Sequence, residues 1–277
     1  MDIVQAARDY ETGVWVILKK AFVNGVNICY EWIGEGFPLI GLTGKDSDMD
    51  WWNPAIKAAL SERNSFIMLD HRGTGRSDAP TEAYDISDMA KDVIGLMNAL
   101  DIEKAHILGQ SMGGMIAQEL AIEFPSRVSK LILCSTTCGV KRVPPSFRMI
   151  KWLMRKNAAF SPQDTLNMLY SKVYIRENPD LIASLVERMQ IAPSNPRSME
   201  IHHEASKNFD SYHRLGRISA PTLIIHGEDD WVFSPKHAKI LNRRIPGSKL
   251  ILFPHAGHGV FSQEHRKVLE EIHRFVD

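Results

Sequence analysis

The sequence predicts an α/β protein with a mostly parallel central sheet, helices on its faces and one helical insertion. Three features point there. Short apolar runs alternate with stretches of helical periodicity along most of the chain. A Gly-X-Ser-X-Gly pentapeptide stands where one such run gives way to a helix, and from Gly139 to about Leu215 no β-branched run occurs.

The elements follow in order. Two half-buried strands, Val14 to Phe22 and Ile28 to Trp32, are joined through Asn24-Gly25, a dipeptide that readily supplies the positive φ angles of a tight hairpin. Leu39 to Leu42 and Ser65 to Asp70 are short apolar runs with a helical stretch, Asn53 to Leu60, between them. Ile86 to Leu100 places Met89, Val93, Leu96, Met97 and Leu100 on one helical face and leads to a strand from Lys104 to Leu108. A helix over Met112 to Glu123 then delivers a strand at Lys130 to Cys134. The insertion shows three helix starts with proline near the first turn, at Pro144-Pro145, Ser161-Pro162 and Asn178-Pro179. Alternation resumes with a strand at Pro221 to Ile225, a helix at Pro235 to Arg244, a strand at Lys249 to Phe253 and a terminal helix from Ser262 to Val276. The expected division is a core of 1–138 and 214–277 with a helical cap at 139–213.

Composition narrows the function classes. With 44% hydrophobic and 24% charged residues, the 277-residue chain can bury a full core without disulfides or metal. Lys plus Arg and Asp plus Glu both number 33, and no basic run is long enough to track phosphates, so nucleic acid is not an expected partner. The start of the chain lacks a basic region followed by an apolar one, and no stretch of about 18 apolar residues occurs, so no membrane partner is expected. Cys29, Cys134 and Cys138 have no metal-ligand spacing and suit reduced thiols in a cytoplasm, with a reactive Cys138 as an alternative.

Gly109-Gln110-Ser111-Met112-Gly113 follows a buried strand and opens a helix. A sharp strand-to-helix turn packs backbone closely around its central residue, which requires glycine on both sides, and it exposes the Ser111 hydroxyl at the carboxyl end of the sheet. The amide of Met112 would face an oxygen that gains negative charge there. A serine hydroxyl needs a histidine to take its proton and a carboxylate to hold that histidine. Two downstream loops at the same sheet edge offer them: His226-Gly227-Glu228-Asp229-Asp230 and Pro254-His255-Ala256-Gly257-His258-Gly259. Asp229 competes with Asp230, and His255 with His258; glycine on both sides of His258 favours it. His202-His203-Glu204 lacks the i, i+4 spacing of a zinc helix, so neither metal nor cofactor is expected.

Over essentially its whole length the chain resembles the α/β-hydrolase superfamily. The resemblance rests on Gly109 to Gly113, on Asp70-His71-Arg72-Gly73-Thr74-Gly75-Arg76-Ser77, similar to the family's loop after the fourth strand, and on the acid and histidine loops. It implies an α/β-hydrolase fold, Ser111, Asp230 and His258 as the catalytic residues, and an aspartate position three residues after Gly227. Where the family usually carries His-Gly, this chain has Ile40-Gly41-Leu42-Thr43-Gly44. The first oxyanion donor is therefore assigned to the main-chain amide of Leu42, with Thr43 as the alternative, beside Met112. Serine at the elbow implies hydrolysis of a small-molecule ester or lactone through an acyl-enzyme, rather than dehalogenation or epoxide opening.

Competing readings are an enol-lactone hydrolase, since Ser111-Met112-Gly113-Gly114-Met115 resembles that group; a carbon–carbon bond hydrolase, disfavoured by Gly259; a peptidase, for which the cap shows no obvious acidic cluster beyond Glu187, Glu200 and Glu204; and a silent ligand-binding relative. Phe147, Met149, Ile150, Trp152, Leu153, Met154, Phe160, Met168, Leu169 and Tyr170 are expected to pack the cap or line an apolar pocket, with Trp51, Trp52 and Trp231 near the catalytic edge.

Overall fold

Asn24 and Gly25 both take positive φ, 48° and 80°, and the tight turn they make sets the register of the sheet's first half. It joins β2 (Trp15–Val23) to β3 (Val26–Ile33), with Val23 opposite Val26. The computed structural model describes residues 3–8, 15–154, 161–191 and 195–277. Ahead of the hairpin it adds an unexpected strand, β1 (Ile3–Arg8), antiparallel to β2. Its sequence, Ile-Val-Gln-Ala-Ala-Arg, lacks the apolar alternation that marks a half-buried strand, so its pairing comes from the neighbouring strand.

The chain continues through β4 (Phe37–Leu42), α1 (Pro54–Ser61), β5 (Asn64–Leu69), α2 (Ile86–Ala99), β6 (Ala105–Gln110), α3 (Met112–Glu123) and β7 (Val128–Cys134). Five helices follow: α4 (Phe147–Leu153), α5 (Pro162–Leu169), α6 (Lys172–Glu177), α7 (Pro179–Ile191) and α8 (Pro196–Asn208). The sheet is completed by β8 (Thr222–Gly227), α9 (Lys236–Arg244), β9 (Lys249–Phe253), α10 (Val260–Gln263) and α11 (His265–Val276). Among the described residues the sheet has nine strands in the order β1-β2-β3-β5-β4-β6-β7-β8-β9, antiparallel from β1 to β5 and parallel from β5 to β9.

β5, β6 and β8 are buried at every position, as expected of parallel strands covered on both faces. Successive side chains go to opposite faces. Ile107, Leu131, Leu133 and Ile224 join one apolar cluster with α2, α3 and α9, whereas Leu108, Ile132, Leu223 and Ile225 join another with α1, α10 and α11. Trp52 belongs to the second cluster, edge-on to Phe66 and Phe261, so it packs the core rather than lining a site.

Several helix starts are capped by a polar residue ahead of the first turn. Asp85 and Asp88 form a reciprocal capping box on α2, and Ser161 and Asp164 form one on α5. α4 begins just after Pro144-Pro145, with Ser146 Oγ accepting from the Met149 amide. Two further starts, Ser171 on α6 and Asn195-Pro196 on α8, complete the insertion. The expected single terminal helix is instead two, because Glu264 leaves the helical region (φ −117°, ψ 31°) between α10 and α11. Within the insertion, Leu166, Tyr170 and Ile182 form a small cluster of their own, while Ile201 and Ala205 of α8 pack into the main core. Phe147 on α4 and Met154 just after it are largely exposed. The side chains of Trp152 and Leu153, and Phe160 altogether, lie outside the described residues.

Candidate active site

Ser111 sits between the end of β6 and the first residue of α3 with φ 53° and ψ −115°, a conformation that side-chain-bearing residues rarely adopt. Several contacts hold it there. Its amide donates to Cys134 O at 3.0 Å, and its carbonyl accepts from Thr136 Oγ1 at 2.6 Å and the Gly114 amide at 3.0 Å. The flanking glycines are required by close approach: a Cβ at Gly109 would lie 2.3 Å from Gly113 O, and one at Gly113 would lie 2.2 Å from Leu42 O. The second contact seats the first turn of α3 against the end of β4, bringing Leu42, Thr43 and Gly44 next to Ser111.

Two loops at the carboxyl ends of β8 and β9 meet this turn. Ser111 Oγ lies 3.0 Å from His258 Nε2, and His258 Nδ1 lies 2.8 Å from Asp230 Oδ2. Asp230 and His258 are buried, whereas their competitors Asp229 and His255 are exposed. Asp230 Oδ1 accepts from the amides of Val232 and Phe233, each at 2.9 Å. Burial by itself would raise the Asp230 carboxyl, but the His258 and His226 imidazoles outweigh it and hold the group well below the usual carboxylate range. The Phe233 ring meets His258 edge-on, with centroids 5.4 Å apart.

The insertion reaches the histidine loop directly. Gly259 N donates to Leu169 O at 2.7 Å, and a Cβ on Gly259 would lie 2.4 Å from the Tyr170 ring. Gln263 links both sides: its Oε1 accepts from Gly257 N at 2.8 Å and its Nε2 donates to Ser171 Oγ at 3.2 Å. Ser146 Oγ donates to Trp231 O, and the Arg148 guanidinium lies over the Trp231 ring. These insertion contacts, and the His226 contact with Asp230, are absent from the sequence reading because no local pattern announces a pairing made across loops.

The glycine-rich segment after β5 packs against the loop that follows β4. Asp70 is fully buried and accepts from the Met49 and Arg76 amides at 2.7 and 2.8 Å; burial first, then Asp48, pushes its carboxyl up to about 7. Arg72 grips Asp92 with two bonds of 2.6 Å. His71 faces the Thr43 backbone and is pushed down to about 3 by burial. Cys138 is buried and its thiol is pushed up to about 11 by burial, the opposite of an activated nucleophile. Among the described residues no group of His, Cys, Asp or Glu is placed to hold a metal, and no helix is long and apolar enough to cross a membrane.

With this fold, this elbow and this order of residues, the chain belongs to the α/β hydrolase family, whose pattern it matches over residues 36–264. It is 31% identical over 266 residues to the AB hydrolase superfamily protein YisY of Bacillus subtilis, covering 90% of this chain and 95% of that protein. The enol-lactonase from Burkholderia xenovorans LB400 superposes with a TM-score of 0.81 at 25% identity, covering 93% of this chain and 99% of the other. An esterase from Exiguobacterium antarcticum superposes with a TM-score of 0.79 at 27% identity, covering 92% and 97%. The protein is a hydrolase of the α/β fold.

Proposed function

We propose that the protein is a serine hydrolase that cleaves a carboxylic ester through an acyl-enzyme. The observation that carries this reading is the continuous line from Ser111 Oγ to His258 Nε2 at 3.0 Å and from His258 Nδ1 to Asp230 Oδ2 at 2.8 Å. In this reading Ser111 attacks the substrate carbonyl, His258 accepts its proton and returns it to the leaving alkoxide, and Asp230 stabilises the imidazolium. The amides of Leu42 and Met112 receive the oxyanion, with Thr43 as the alternative to Leu42; each such donor is worth about 3 kcal/mol in the transition state. Water, activated by the same imidazole, releases the acid. Residues 139–213 serve as the cap, and the contact of Leu169 and Tyr170 with the His258 loop supports that role. The buried, free thiols are in keeping with a cytoplasmic setting.

A second reading, an enol-lactone hydrolase, is favoured by the likeness to the Burkholderia enol-lactonase. It needs no different machinery, since a lactone is a cyclic ester whose leaving oxygen stays tethered.

The test combines a panel of p-nitrophenyl esters of increasing acyl length with fluorophosphonate labelling read by mass spectrometry, for the wild type and Ser111→Ala. Labelling at Ser111, with turnover that vanishes in the variant, supports the esterase. Labelling without ester turnover favours the lactone, and the absence of both labelling and turnover would overturn the serine-hydrolase reading.

A further inference from the structure

His226, the last residue but one of β8, is fully buried and takes no part in the proton path above. Its Nε2 lies 2.7 Å from Phe233 O and 3.2 Å from Asp230 Oδ2. A carbonyl can only accept, so Nε2 carries the hydrogen, and that one N–H is shared between the Phe233 carbonyl and the carboxylate. The other ring nitrogen, Nδ1, is buried and has no partner among the described residues, so the ring's polar contacts are concentrated on this loop.

The result is a closed ring of hydrogen bonds. Asp230 Oδ1 accepts from the Phe233 amide, the Phe233 carbonyl accepts from His226, and His226 returns to Asp230 Oδ2. The Asp230 carboxylate thus has both oxygens tied within its own loop as well as to His258, and it cannot swing without breaking the ring. Phe233, held at both its amide and its carbonyl, is also the residue whose side chain flanks the His258 ring.

We propose that His226 is a positioning residue for the acid of the triad, a second imidazole donor that fixes the Asp230 carboxylate and the Phe233 backbone so that His258 is presented to Ser111. This rests on the serine-hydrolase reading. It is not a catalytic residue, since it touches no reacting atom. The other titratable groups facing the pair are His237 on α9, pushed down to about 4 by burial, and Cys134 on β7, pushed up to about 12 by burial. Both are uncharged near neutrality; Asp70 on the segment after β5, raised to about 7, is common to all the variants, so a difference in the limb between them reports on the Asp230–His258 unit.

The experiment follows the pH dependence of fluorophosphonate labelling at Ser111, and of p-nitrophenyl butyrate turnover, in the wild type and in His226→Asn and His226→Gln. Glutamine carries an N–H where Nε2 now stands, whereas asparagine is one methylene too short to reach Asp230. The asparagine variant is expected to label about tenfold more slowly, with kcat reduced and KM within twofold. Its acid limb should move to higher pH, because a carboxylate that has lost a donor is a stronger acceptor for the imidazolium. The glutamine variant should recover most of the rate and return the limb. Equal rates and an unmoved limb in both variants, or equal losses that track a lower Tm with the limb unmoved, would overturn the positioning role. Failure of the wild type to label at Ser111 would instead overturn the hydrolase reading on which it depends.

Discussion

The imidazole of His202, in the middle of α8, places Nδ1 3.2 Å from Asp46 Oδ1 in the loop that follows β4. Its other nitrogen lies 3.0 Å from Arg72 O and 3.1 Å from the Tyr84 hydroxyl, and the ring is fully buried. One side chain of the insertion thereby ties the loop beside Ser111 to the glycine-rich segment after β5. His202→Leu removes these polar contacts and should cost about 2 kcal/mol, since buried polar groups lose their partner. Because residues 43–48 are then held less firmly, labelling at Ser111 should slow about tenfold. Urea unfolding and labelling kinetics measure the two effects separately; a stability loss with an unchanged labelling rate would show that the loop is fixed by other contacts.

The positive φ of Ser111 leads to a second expectation. A non-glycine residue in such a conformation is strained by about 1 to 3 kcal/mol, and glycine relieves that strain while adding some unfolded-state entropy. Ser111→Ala and Ser111→Gly should both be inactive, with the glycine variant more stable by about 1 kcal/mol. Their urea midpoints, compared at constant slope, decide the point; an alanine variant at least as stable as the glycine one would mean that the elbow stores no strain.

Much of this arrangement was legible before the structure. The alternation of Ile107 with Leu108 and of Leu131 with Ile132 between two apolar clusters is what a two-sided parallel sheet demands, and it shows as continuous apolar runs. The elbow was legible because glycine on both sides of Ser111 has a steric cause. The choice between Asp229 and Asp230, or between His255 and His258, was less so. It depends on which way a loop turns, and burial and the contacts among Ser111, His258 and Asp230 separate the members of each pair only once the chain is folded. β1 escaped notice because Ala6 and Ala7 break the alternation, and the break at Glu264 because neither glycine nor proline marks it. His226 stands in the sequence as the first residue of the acid loop, although the structure places it within β8; its contact with Asp230 is created by the turn between them.

Two glycines near the site should behave in opposite ways. A methyl group at Gly113 would meet Leu42 O at 2.2 Å and Thr43 O at 2.5 Å, backbone atoms that cannot rotate aside. Gly113→Ala should therefore push β4 and α3 apart, costing about 3 kcal/mol and abolishing labelling. At Gly44 the same methyl would meet the Ser111 Cβ at 3.4 Å, an ordinary contact. Gly44→Ala should fold normally yet crowd the face of Ser111, lowering kcat/KM for bulky p-nitrophenyl esters more than for the acetate. Thermal melts with ester kinetics distinguish the two, and a normal Tm for Gly113→Ala would contradict the close packing at the elbow.

Acid should destabilise the fold through its buried histidines. His106 lies near the start of β6, at the opposite end of the strand from Ser111, with its ring 4.6 Å from that of Phe37 and Nδ1 without a partner among the described residues. Burial, aided by Lys130, pushes it down to about 4, against 6.5 for a free imidazole. Between these values the unfolded chain binds a proton that the folded chain refuses. The contribution is therefore complete above about pH 6.5 and is lost as pH falls toward 4, by up to about 1.4 kcal/mol per pH unit. His71, pushed down to about 3, and His237, to about 4, act in the same direction, whereas Asp70, raised to about 7, opposes them. His106→Phe keeps the aromatic contact and removes one of these protons. Its unfolding free energy should thus fall less steeply between pH 6.5 and pH 4.5 than that of the wild type, with labelling at neutral pH unchanged. Parallel urea titrations at those two pH values test this, and identical slopes would mean that His106 is protonated in the folded chain as readily as in the unfolded one.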